Sequence, residues 1–350
     1  MALPDTMSGV VLTGHGGPEM LVWRQDLPVP VAGPGDVIVA IGAAGVNNTD
    51  INTRVGWYSR SGDAEDASWG GSPLTFPRVQ GIDGAGRIVA VGEGVDPVRI
   101  GERVLLVKCI FEAYCNRLDR PWFLGSECDG AFAQYCKIAA RHAHAITTEL
   151  SDTALASFPC SYSTAENMLT RAQVAPGERV LITGASGGVG SAAIQLCVAR
   201  GAVPIALSTP AQGTALRAIG AAEVWDRGAP LAHQSRGSSV DVVLDLVGGE
   251  LQFPALLDVL RPGGRLASAG AVAGPVVPLD LRTLYLKDLT LVGATALEPD
   301  VFPRLVRYIE TGAIAPLVAK TFPLREIAAA QTAFAAKGFA GKIVLTLEDL

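Results

Sequence analysis

Short apolar runs alternate with stretches of helical periodicity through the middle of the chain. The apolar runs, which predict strands, lie at residues 180–182, 203–207, 240–245, 265–268 and 289–293. The stretches that predict helices lie between them, at residues 191–199, 211–219 and 253–260. Apolar strands separated by helices are typical of a parallel, doubly wound α/β sheet with helices on both faces.

A glycine-rich turn follows the first of these strands. Residues 183–190 read TGASGGVG, and a small, apolar helix is predicted directly after them. Glycines let the backbone approach a pyrophosphate, and the helix N-terminus presents free N–H groups to it. The turn departs from a strict G-x-G-x-x-G because Ala185 stands at the first glycine. We interpret it as a dinucleotide site; the alternative is an α/β domain with an ordinary tight turn.

Ligands of such sheets lie at the carboxyl ends of the strands. The residues expected to line the cofactor site are Ala185, Ser186, Gly187, Gly188, Val189, Gly190, Ser208, Thr209, Asp245, Val247, Ala269 and Gly270.

The first 150 residues have a different pattern. Short β-rich runs at 8–12, 36–41, 86–91 and 103–107 are separated by Gly, Pro and Asp turns, which predicts an antiparallel, barrel-like unit. Residues 57–77 are polar and glycine-rich, and we expect an exposed loop there, either functional or a plain surface excursion.

Length and charge restrict the function class. A chain of 350 residues, 49% of them hydrophobic, suits two domains. The net charge of −6 and the lack of a basic cluster argue against nucleic acid or an anionic membrane as partner. Neither a secretory signal nor an apolar run long enough to span a bilayer is visible, so we expect a cytoplasmic protein.

Cysteine and histidine patterns give little support to a metal site. The six cysteines form no C-x-x-C pair, and the spacings among Cys109, Cys115, Cys128 and Cys136 do not suit structural zinc. His142 and His144 lie two apart, and we expect a surface strand there rather than a metal pair.

Several segments together resemble the medium-chain dehydrogenase/reductase superfamily, within it the zinc-independent quinone oxidoreductase-like branch. They are the glycine turn and residues 45–50 (GVNNTD), 81–86 (GIDGAG), 91–95 (VGEGV), 101–104 (GERV) and 341–345 (GKIVL). The resemblance implies a GroES-like β-barrel catalytic domain in residues 1–154 and 298–350, and a Rossmann domain in residues 155–297.

The same resemblance indicates whether this chain has the residues that bind catalytic zinc in relatives. The cysteine, histidine and second cysteine that bind catalytic zinc in the superfamily's alcohol dehydrogenases would fall at Asn47, Ile82 and Cys160, and the glutamate of their Gly-His-Glu at Asp83. Isoleucine cannot bind a metal, and a neutral amide is a poor zinc ligand. We therefore expect no catalytic zinc.

Residues 47–58 resemble the quinone-reductase segment Asn-x-x-Asp-x-x-x-Arg-x-Gly-x-Tyr at every spacing. The resemblance makes Tyr58 the candidate proton donor or acceptor-oxygen ligand, with a packing role over the barrel mouth as the alternative. It implies that Asn47 hydrogen-bonds substrate or ribose. Asp50 and Arg54 suit a structural ion pair that holds the segment, with a catalytic role as the alternative. Thr164 and Asn167 are weaker candidates for the same cleft.

Cofactor choice depends on the end of the second Rossmann strand. NAD enzymes carry Asp or Glu there, whereas this strand ends in Ser208 and Thr209. This favours NADPH over NADH. Gln212 stands where relatives often have Lys, which weakens the preference, while Arg227 and Lys337 fall where relatives place phosphate-binding groups.

These features predict an NADPH-dependent, metal-free oxidoreductase that transfers a hydride to a quinone or an α,β-unsaturated carbonyl. The alternatives are an enoyl-thioester reductase, a zinc-dependent alcohol dehydrogenase and a non-catalytic NADPH-binding protein. Residues 286–293 resemble the edge strand through which relatives pair, and they predict a homodimer.

Overall fold

The computed structural model describes residues 3–59, 73–235, 239–336 and 338–347. The chain forms two compact units. The first contains residues 1–160, 316–338 and 342–350, and the second contains residues 161–315 and 339–341. Most of the predicted 57–77 loop and Lys337 lie outside the described residues.

The first unit is built on a largely antiparallel seven-stranded sheet. Its strands are β3 (Asp36–Gly45), β5 (Ala85–Val91), β6 (Arg103–Leu106), β9 (Tyr135–Ala139), β10 (Ala143–Ala145), β17 (Val318–Pro323) and β18 (Lys342–Thr346). The order is β10-β6-β5-β3-β18-β17, with β9 also paired to β3. The long apolar β3 is central because Val37, Ile38 and Val39 are all buried.

Smaller elements surround that sheet. A three-stranded sheet contains β1 (Thr6–Leu12), β2 (Leu21–Pro28) and β4 (Arg78–Val79), and a hairpin joins β7 (Cys109–Ala113) to β8 (Asn116–Phe123). The helices are α1 (Asn48–Arg54), α2 (Asp152–Leu155) and α10 (Ile327–Ala336). The predicted antiparallel runs are thus strands here, with bounds that differ by a few residues.

The second unit contains the predicted α/β sheet. Six parallel strands lie in the order β13-β12-β11-β14-β15-β16, which is the order of a doubly wound dinucleotide-binding sheet. Their bounds are β11 (Arg179–Ile182), β12 (Val203–Ser208), β13 (Glu223–Asp226), β14 (Val240–Asp245), β15 (Leu260–Ser268) and β16 (Thr290–Gly293). The fold class expected from the apolar pattern is therefore confirmed.

The helices of this unit are α3 (Pro159–Arg171), α4 (Gly188–Ala199), α5 (Gly213–Ala218), α6 (Leu231–Gln234), α7 (Phe253–Asp258), α8 (Leu281–Leu286) and α9 (Val301–Glu310). The central strands read as continuous apolar runs because both faces are buried: Leu181, Val243 and Leu244 have no exposed surface. None of the described helices is long and apolar enough to cross a bilayer.

Two predicted elements differ from the structure. The strand expected at 265–268 begins at Leu260, because the Pro262–Gly264 segment forms a bulge inside β15 rather than a break. Gly263 has φ +70° and permits that bulge. The helix expected at 211–219 is split, since a 3₁₀ turn at Pro210–Gln212 precedes α5.

The compact units also differ from the predicted domain boundaries. Residues 155–160 belong to the first unit and residues 298–315 to the second. Side-chain contacts within the second unit hold the latter segment: Glu298 N donates to Asn167 Oδ1 (3.1 Å), and the Arg304 guanidinium donates to Glu166 (2.9 Å).

Gly45, the last residue of β3, gives a test of this packing. A Cβ there would lie 2.5 Å from Asp83 Oδ2, 2.7 Å from Ala156 O and 2.8 Å from Lys342 Cε. Since backbone and a buried ion pair cannot move aside, we expect Gly45→Ala to destabilise the protein by roughly 1–3 kcal/mol in urea unfolding. Gly14→Ala is the control because its Cβ would meet only Met20 Sδ, at 3.8 Å. Equal stability of the two variants would contradict the tight packing.

Candidate active site

The glycine turn of the second unit packs closely against the helix that follows it. Gly184 has φ +56°, and α4 begins at Gly188 with Gly187 in extended backbone before it. A Cβ on Gly190 would lie 2.6 Å from Ala185 Cα and even closer to Gly184 O. The turn therefore folds over the first turn of α4, whose N–H groups have no partner within the helix. This arrangement fits the pyrophosphate of a dinucleotide.

A buried carboxylate holds the neighbouring strand end. Asp245 Oδ1 accepts from Thr183 Oγ1 (2.8 Å), Val247 N (3.1 Å) and Gly248 N (3.1 Å). Thr183 Oγ1 in turn accepts from Leu246 N (2.8 Å). Asp245, predicted to line the cofactor site, is thus placed in the framework that joins the glycine turn to the loop after β14.

The residues that follow β15 pack closely against the loop that follows β14. Ala269 N donates to Asp245 O (3.2 Å), and a Cβ on Gly270 would overlap Leu246 O. The structure therefore places the glycine turn, Val247 and residues 269–270 at one edge of the sheet, as expected for parallel strands.

The end of β12 carries hydroxyls and an amide. Ser208 Oγ donates to Gln212 Oε1 (2.5 Å), and Thr209 Oγ1 lies 3.4 Å from the same oxygen. Arg227 is exposed, and its backbone N donates to Ser208 O (2.9 Å), which fixes it beside the strand end. The nearby Asp226 carboxylate accepts from Gly228 N (2.9 Å) within its own turn.

The weaker candidates lie on α3. Asn167 is buried and donates to Ala296 O (3.0 Å) while it accepts from Glu298 N, so both ends of its amide hold the 296–298 segment. Thr164 is buried on the same helix. Asn167 is placed in a structural role.

The centre of the first unit is a buried ion pair. Lys342 Nζ lies 2.7 Å from Asp83 Oδ2 and also donates to Asn47 Oδ1. Asn47 Nδ2 donates to Asp83 Oδ2 (2.8 Å) and to Gly45 O (3.3 Å). Cys160 N donates to the other Asp83 oxygen. The amide that was expected to contact substrate is therefore engaged at both ends by the protein.

Asp50 caps the helix that starts at Asn48. Its Oδ2 accepts from Asn47 N (2.8 Å) and its Oδ1 from Ile82 N (3.2 Å). Burial raises the pKa of this carboxyl from 3.8 to about 7, and the Asp83 charge adds to the rise. The two backbone donors and Lys342 act in the opposite direction.

The expected Asp50–Arg54 ion pair is wrong. Arg54 Nε donates to Gln331 Oε1 (3.0 Å) and its Nη1 donates to Gly16 O (2.5 Å), while Asp50 is used by backbone donors. The i, i+4 spacing allows a pair on the helix surface, but both side chains are buried and each is engaged elsewhere.

Tyr58 lies beside this centre. Burial raises the pKa of its hydroxyl, while hydrogen bonds with the Asn52 and Thr49 side chains act to lower it. The nearby Asp50 carboxyl adds to the rise in the pKa of Tyr58. Its ring makes an edge-on contact with Trp57, with centroids 5.3 Å apart. A half-buried hydroxyl held by two side chains suits a donor of one proton.

Two buried lysines of the first unit, one of them in this centre, were missed by the sequence analysis. Lys108 is 2% exposed and Lys342 is 3% exposed. Lys108 could have been found as the single charged residue within the apolar run at 104–110. Lys342 lies inside the 341–345 motif, to which the sequence analysis gave no site role. Buried lysines of this kind are rare and need a specific reason.

The donor set at this centre does not fit zinc. The Ile82 side chain has no ligating atom, and Asn47 and Asp83 are both bound to the Lys342 ammonium. Burial raises the pKa of the Cys160 thiol to about 11, so it is a neutral thiol rather than a thiolate. Across the described ranges, no group of three or more His, Cys, Asp or Glu side chains could hold a metal.

His142 corrects one expectation. It is buried rather than on a surface strand, because its Nε2 accepts from Phe111 N (3.1 Å). Burial lowers its pKa from 6.5 to about 4, so the ring is neutral.

Comparisons with known proteins agree with this geometry. Residues 33–148 match the alcohol dehydrogenase GroES-like domain, and residues 219–345 match the zinc-binding dehydrogenase family. The chain is 31% identical to an acryloyl-coenzyme A reductase of Metallosphaera sedula, over 97% of this chain and 100% of that protein. It is 30% identical to a quinone oxidoreductase of Lama guanicoe, over 98% of each.

The chain belongs to the medium-chain dehydrogenase/reductase superfamily, in its quinone oxidoreductase-like branch. A solved structure from Sinorhizobium meliloti 1021, provisionally assigned as an alcohol dehydrogenase, is similar at a TM-score of 0.92 and 50% identity. That match covers 98% of this chain and 97% of the other. The protein is therefore an oxidoreductase of this superfamily, and a nicotinamide cofactor is expected in the second unit.

Two glycines of the turn give a matched test. Gly190→Ala places a methyl group against Ala185 Cα and Gly184 O, whereas a Cβ on Gly187 meets only Gly184 O, at 3.3 Å. We expect Gly190→Ala to lose roughly 1–3 kcal/mol of unfolding free energy and tenfold or more in cofactor affinity. Gly187→Ala should keep the stability and weaken only the cofactor, as titrated by fluorescence. Unchanged stability in Gly190→Ala would contradict the close contact.

Asp50 predicts a pH dependence of stability. Its folded pKa is above its unfolded value, so the folded state holds the proton more tightly and stability falls as pH rises from about 4 to about 7. The loss contributed by this group is at most about 1.4 kcal/mol for each pH unit. Asp50→Asn should remove that part of the slope. Urea unfolding of both proteins at several pH values in this window measures it, and identical slopes would contradict the prediction.

Proposed function

We propose that this protein is an NADPH-dependent reductase that transfers a hydride to a quinone or an α,β-unsaturated carbonyl without a metal ion. The observation that carries the proposal is the Lys342–Asp83–Asn47 network, in which an ammonium engages the polar groups of the first unit's centre. A centre without Lewis-acid ligands suits acceptors that are already electrophilic, because their reduced anions need only hydrogen bonds and positive charge.

The chemistry is a conjugate addition. When bound, the nicotinamide supplies the hydride. The hydride adds to the β-carbon of an enone, the double-bond electrons move onto the carbonyl oxygen, and a proton completes the product. In a quinone the same electron pair yields the hydroquinone anion. We assign the proton to the Tyr58 hydroxyl, which is held by Asn52 and Thr49.

The preference for NADPH has its support in the end of β12. The hydroxyls of Ser208 and Thr209 face Gln212 Oε1, so the amide nitrogen is the end that a bound 2′-phosphate would meet. The exposed Arg227 offers a positive charge beside it. Asp226, the carboxylate nearest in the sheet register, is engaged by Gly228 N.

An enoyl-thioester reductase is the second candidate. It is favoured by the acryloyl-coenzyme A reductase at 31% identity, and its reaction is the same conjugate addition with a thioester carbonyl.

The deciding experiment measures NADPH and NADH oxidation by metal-analysed protein with a quinone, an enone and an enoyl-thioester in parallel. We expect turnover on at least one acceptor with NADPH, unaffected by a chelator. Alcohol oxidation that requires stoichiometric zinc would overturn the proposal, and cofactor binding without turnover on any acceptor would support a non-catalytic protein.

Tyr58→Phe tests the proton donor. We expect kcat to fall on the order of 100-fold with little change in the Kd for NADPH, since only the hydroxyl is removed. Tyr114→Phe is the matched control, because Tyr114 is 66% exposed. A Tyr58→Phe enzyme as active as the control would remove Tyr58 from the mechanism.

We further propose a homodimer through residues 286–293. In the order of the second unit's sheet, β16 is the terminal strand. Its own Leu291 and the preceding Leu281, Tyr285 and Leu286 are exposed apolar side chains. An apolar edge strand is an aggregation hazard unless it is paired.

Leu286→Glu tests the interface, because a carboxylate in an apolar contact must be desolvated. We expect it to give monomers in sedimentation velocity, whereas Val31→Glu, at an 82% exposed position of the first unit, should leave the dimer intact. A Leu286→Glu dimer of wild-type affinity would contradict this interface.

A further inference from the structure

Helix α1 carries the groups that hold the Tyr58 hydroxyl. Two of its side chains, Asn52 and Thr49, share hydrogen bonds with that hydroxyl. The turn that leads to Tyr58 is attached to the same helix, because Trp57 N donates to Asn52 O (2.9 Å). Gly56 has φ +72°, which permits the chain to turn back at this point. The position of α1 therefore determines where the hydroxyl lies.

A helix of seven residues depends on contacts with the rest of the protein to stay in place. At the start of α1 the Asp50 carboxylate supplies these contacts, as described above. At its end, Gly16 N donates to Arg54 O (2.9 Å), and His15 Nδ1 lies 3.1 Å from Thr53 O. Both ends of the backbone of α1 are thus held by other segments of the first unit.

The Arg54 side chain adds a contact with a distant helix of the same unit. It is 5% exposed, and its Nε donates to the Oε1 of Gln331 on α10 (3.0 Å). A guanidinium has donors only, so the oxygen of that amide must face it. Its Nη1 donates to Gly16 O. Both acceptors are neutral, so hydrogen bonds rather than an ion pair set the place of this guanidinium.

Packing alone does not explain the amide at position 331. Gln331 is 1% exposed, and its Nε2 has no hydrogen-bond partner among the described residues. A buried donor without an acceptor costs free energy that a leucine at this place would avoid. The oxygen of the amide is engaged, and it accepts from Arg54. The contact with α1 therefore accounts for the amide.

We propose that Gln331 is a positioning residue, which through Arg54 holds α1 and the Tyr58 hydroxyl in the orientation for proton transfer. The inference rests on the proposed function for the role of Tyr58. In that step the hydride from the nicotinamide adds to the acceptor, and the O–H bond of Tyr58 breaks as its proton passes to the anion so formed. Water then returns a proton to the tyrosinate.

A double-mutant cycle separates positioning from a general loss of structure. We expect Gln331→Leu to lower kcat on the order of tenfold in the wild-type background, because Arg54 loses its acceptor on α10. In the Tyr58→Phe background the loss should be less than about twofold, since no hydroxyl remains to be positioned. Gln25→Leu is the same change at an exposed position of the first unit and should alter neither rate. An equal fold-loss in both backgrounds would overturn the inference.

Two further variants keep the test decisive. Gln331→Glu retains an acceptor for Arg54 and removes the unsatisfied donor, so we expect its kcat to stay within about twofold of the wild type. A kcat as low as that of Gln331→Leu would contradict the role of the acceptor. Should Gln331→Leu not fold, Arg54→Lys takes its place in the cycle, because an ammonium keeps the charge and loses the planar fork.

Nuclear magnetic resonance reports the position of the hydroxyl without turnover. In protein labelled with carbon-13 at the tyrosine ζ carbon, Tyr58→Phe identifies the signal of Tyr58. Its chemical shift depends on the hydrogen bonds of the hydroxyl and on the Trp57 ring, whose centroid lies 5.3 Å away. We expect the signal to move in Gln331→Leu toward that of an exposed tyrosine and to stay in place in Gln25→Leu. An unmoved signal in Gln331→Leu would count against the proposal.

Failure of this inference and failure of the proposed function give different results. If Tyr58→Phe is as active as the wild type, the proton donor is wrongly assigned, and the Tyr58 signal still decides whether Gln331 positions that side chain. If Tyr58→Phe is impaired but Gln331→Leu loses the same factor in both backgrounds, the proposed function stands and the positioning role is wrong.

Discussion

The buried pair of Lys342 and Asp83 organises the first unit. It joins β18, the segment after β4, the end of β3 and the start of α3, and its contacts span up to 295 residues of sequence. Removing either partner leaves an uncompensated buried charge, which typically costs 3–5 kcal/mol. The backbone at Gly45 passes directly over the pair. The positions of the polar side chains in this centre thus depend on the pairing of Lys342 with Asp83.

Carboxylates in both units act as anchors for backbone N–H groups rather than as surface charges. Asp50 accepts from Asn47 and Ile82, and Asp245 accepts from Val247 and Gly248. A charge-assisted hydrogen bond is roughly twice as strong as a neutral one, so a buried carboxylate can fix several turns at once. This use explains why polar residues that look catalytic in the sequence are positioned inside the framework.

The sequence predicted the layers of the fold well and the side-chain contacts less well. The strands of the second unit and the glycine turn follow from local apolar pattern and turn chemistry, which depend on neighbouring residues alone. The Asp50–Arg54 pair was suggested together with the family-like segment at residues 47–58, yet the partners of these two side chains include Ile82 and Gln331, which are distant in sequence. The almost complete burial of Lys108 was hidden for a similar reason, since no local pattern shows how a single charge among apolar neighbours is placed.

The ammonium of Lys342 also limits the chemistry that the proposed centre can perform. An ammonium stabilises an anion by charge and hydrogen bonds, but it has no empty orbital to bind an alcohol oxygen and lower its pKa as a metal does. It therefore helps most when the negative charge arises by hydride addition rather than by loss of a proton. Conjugated carbonyls and quinones satisfy that condition, because their electrons move onto oxygen as the hydride arrives. The polarity of the centre thus supports the proposed reduction of an activated acceptor.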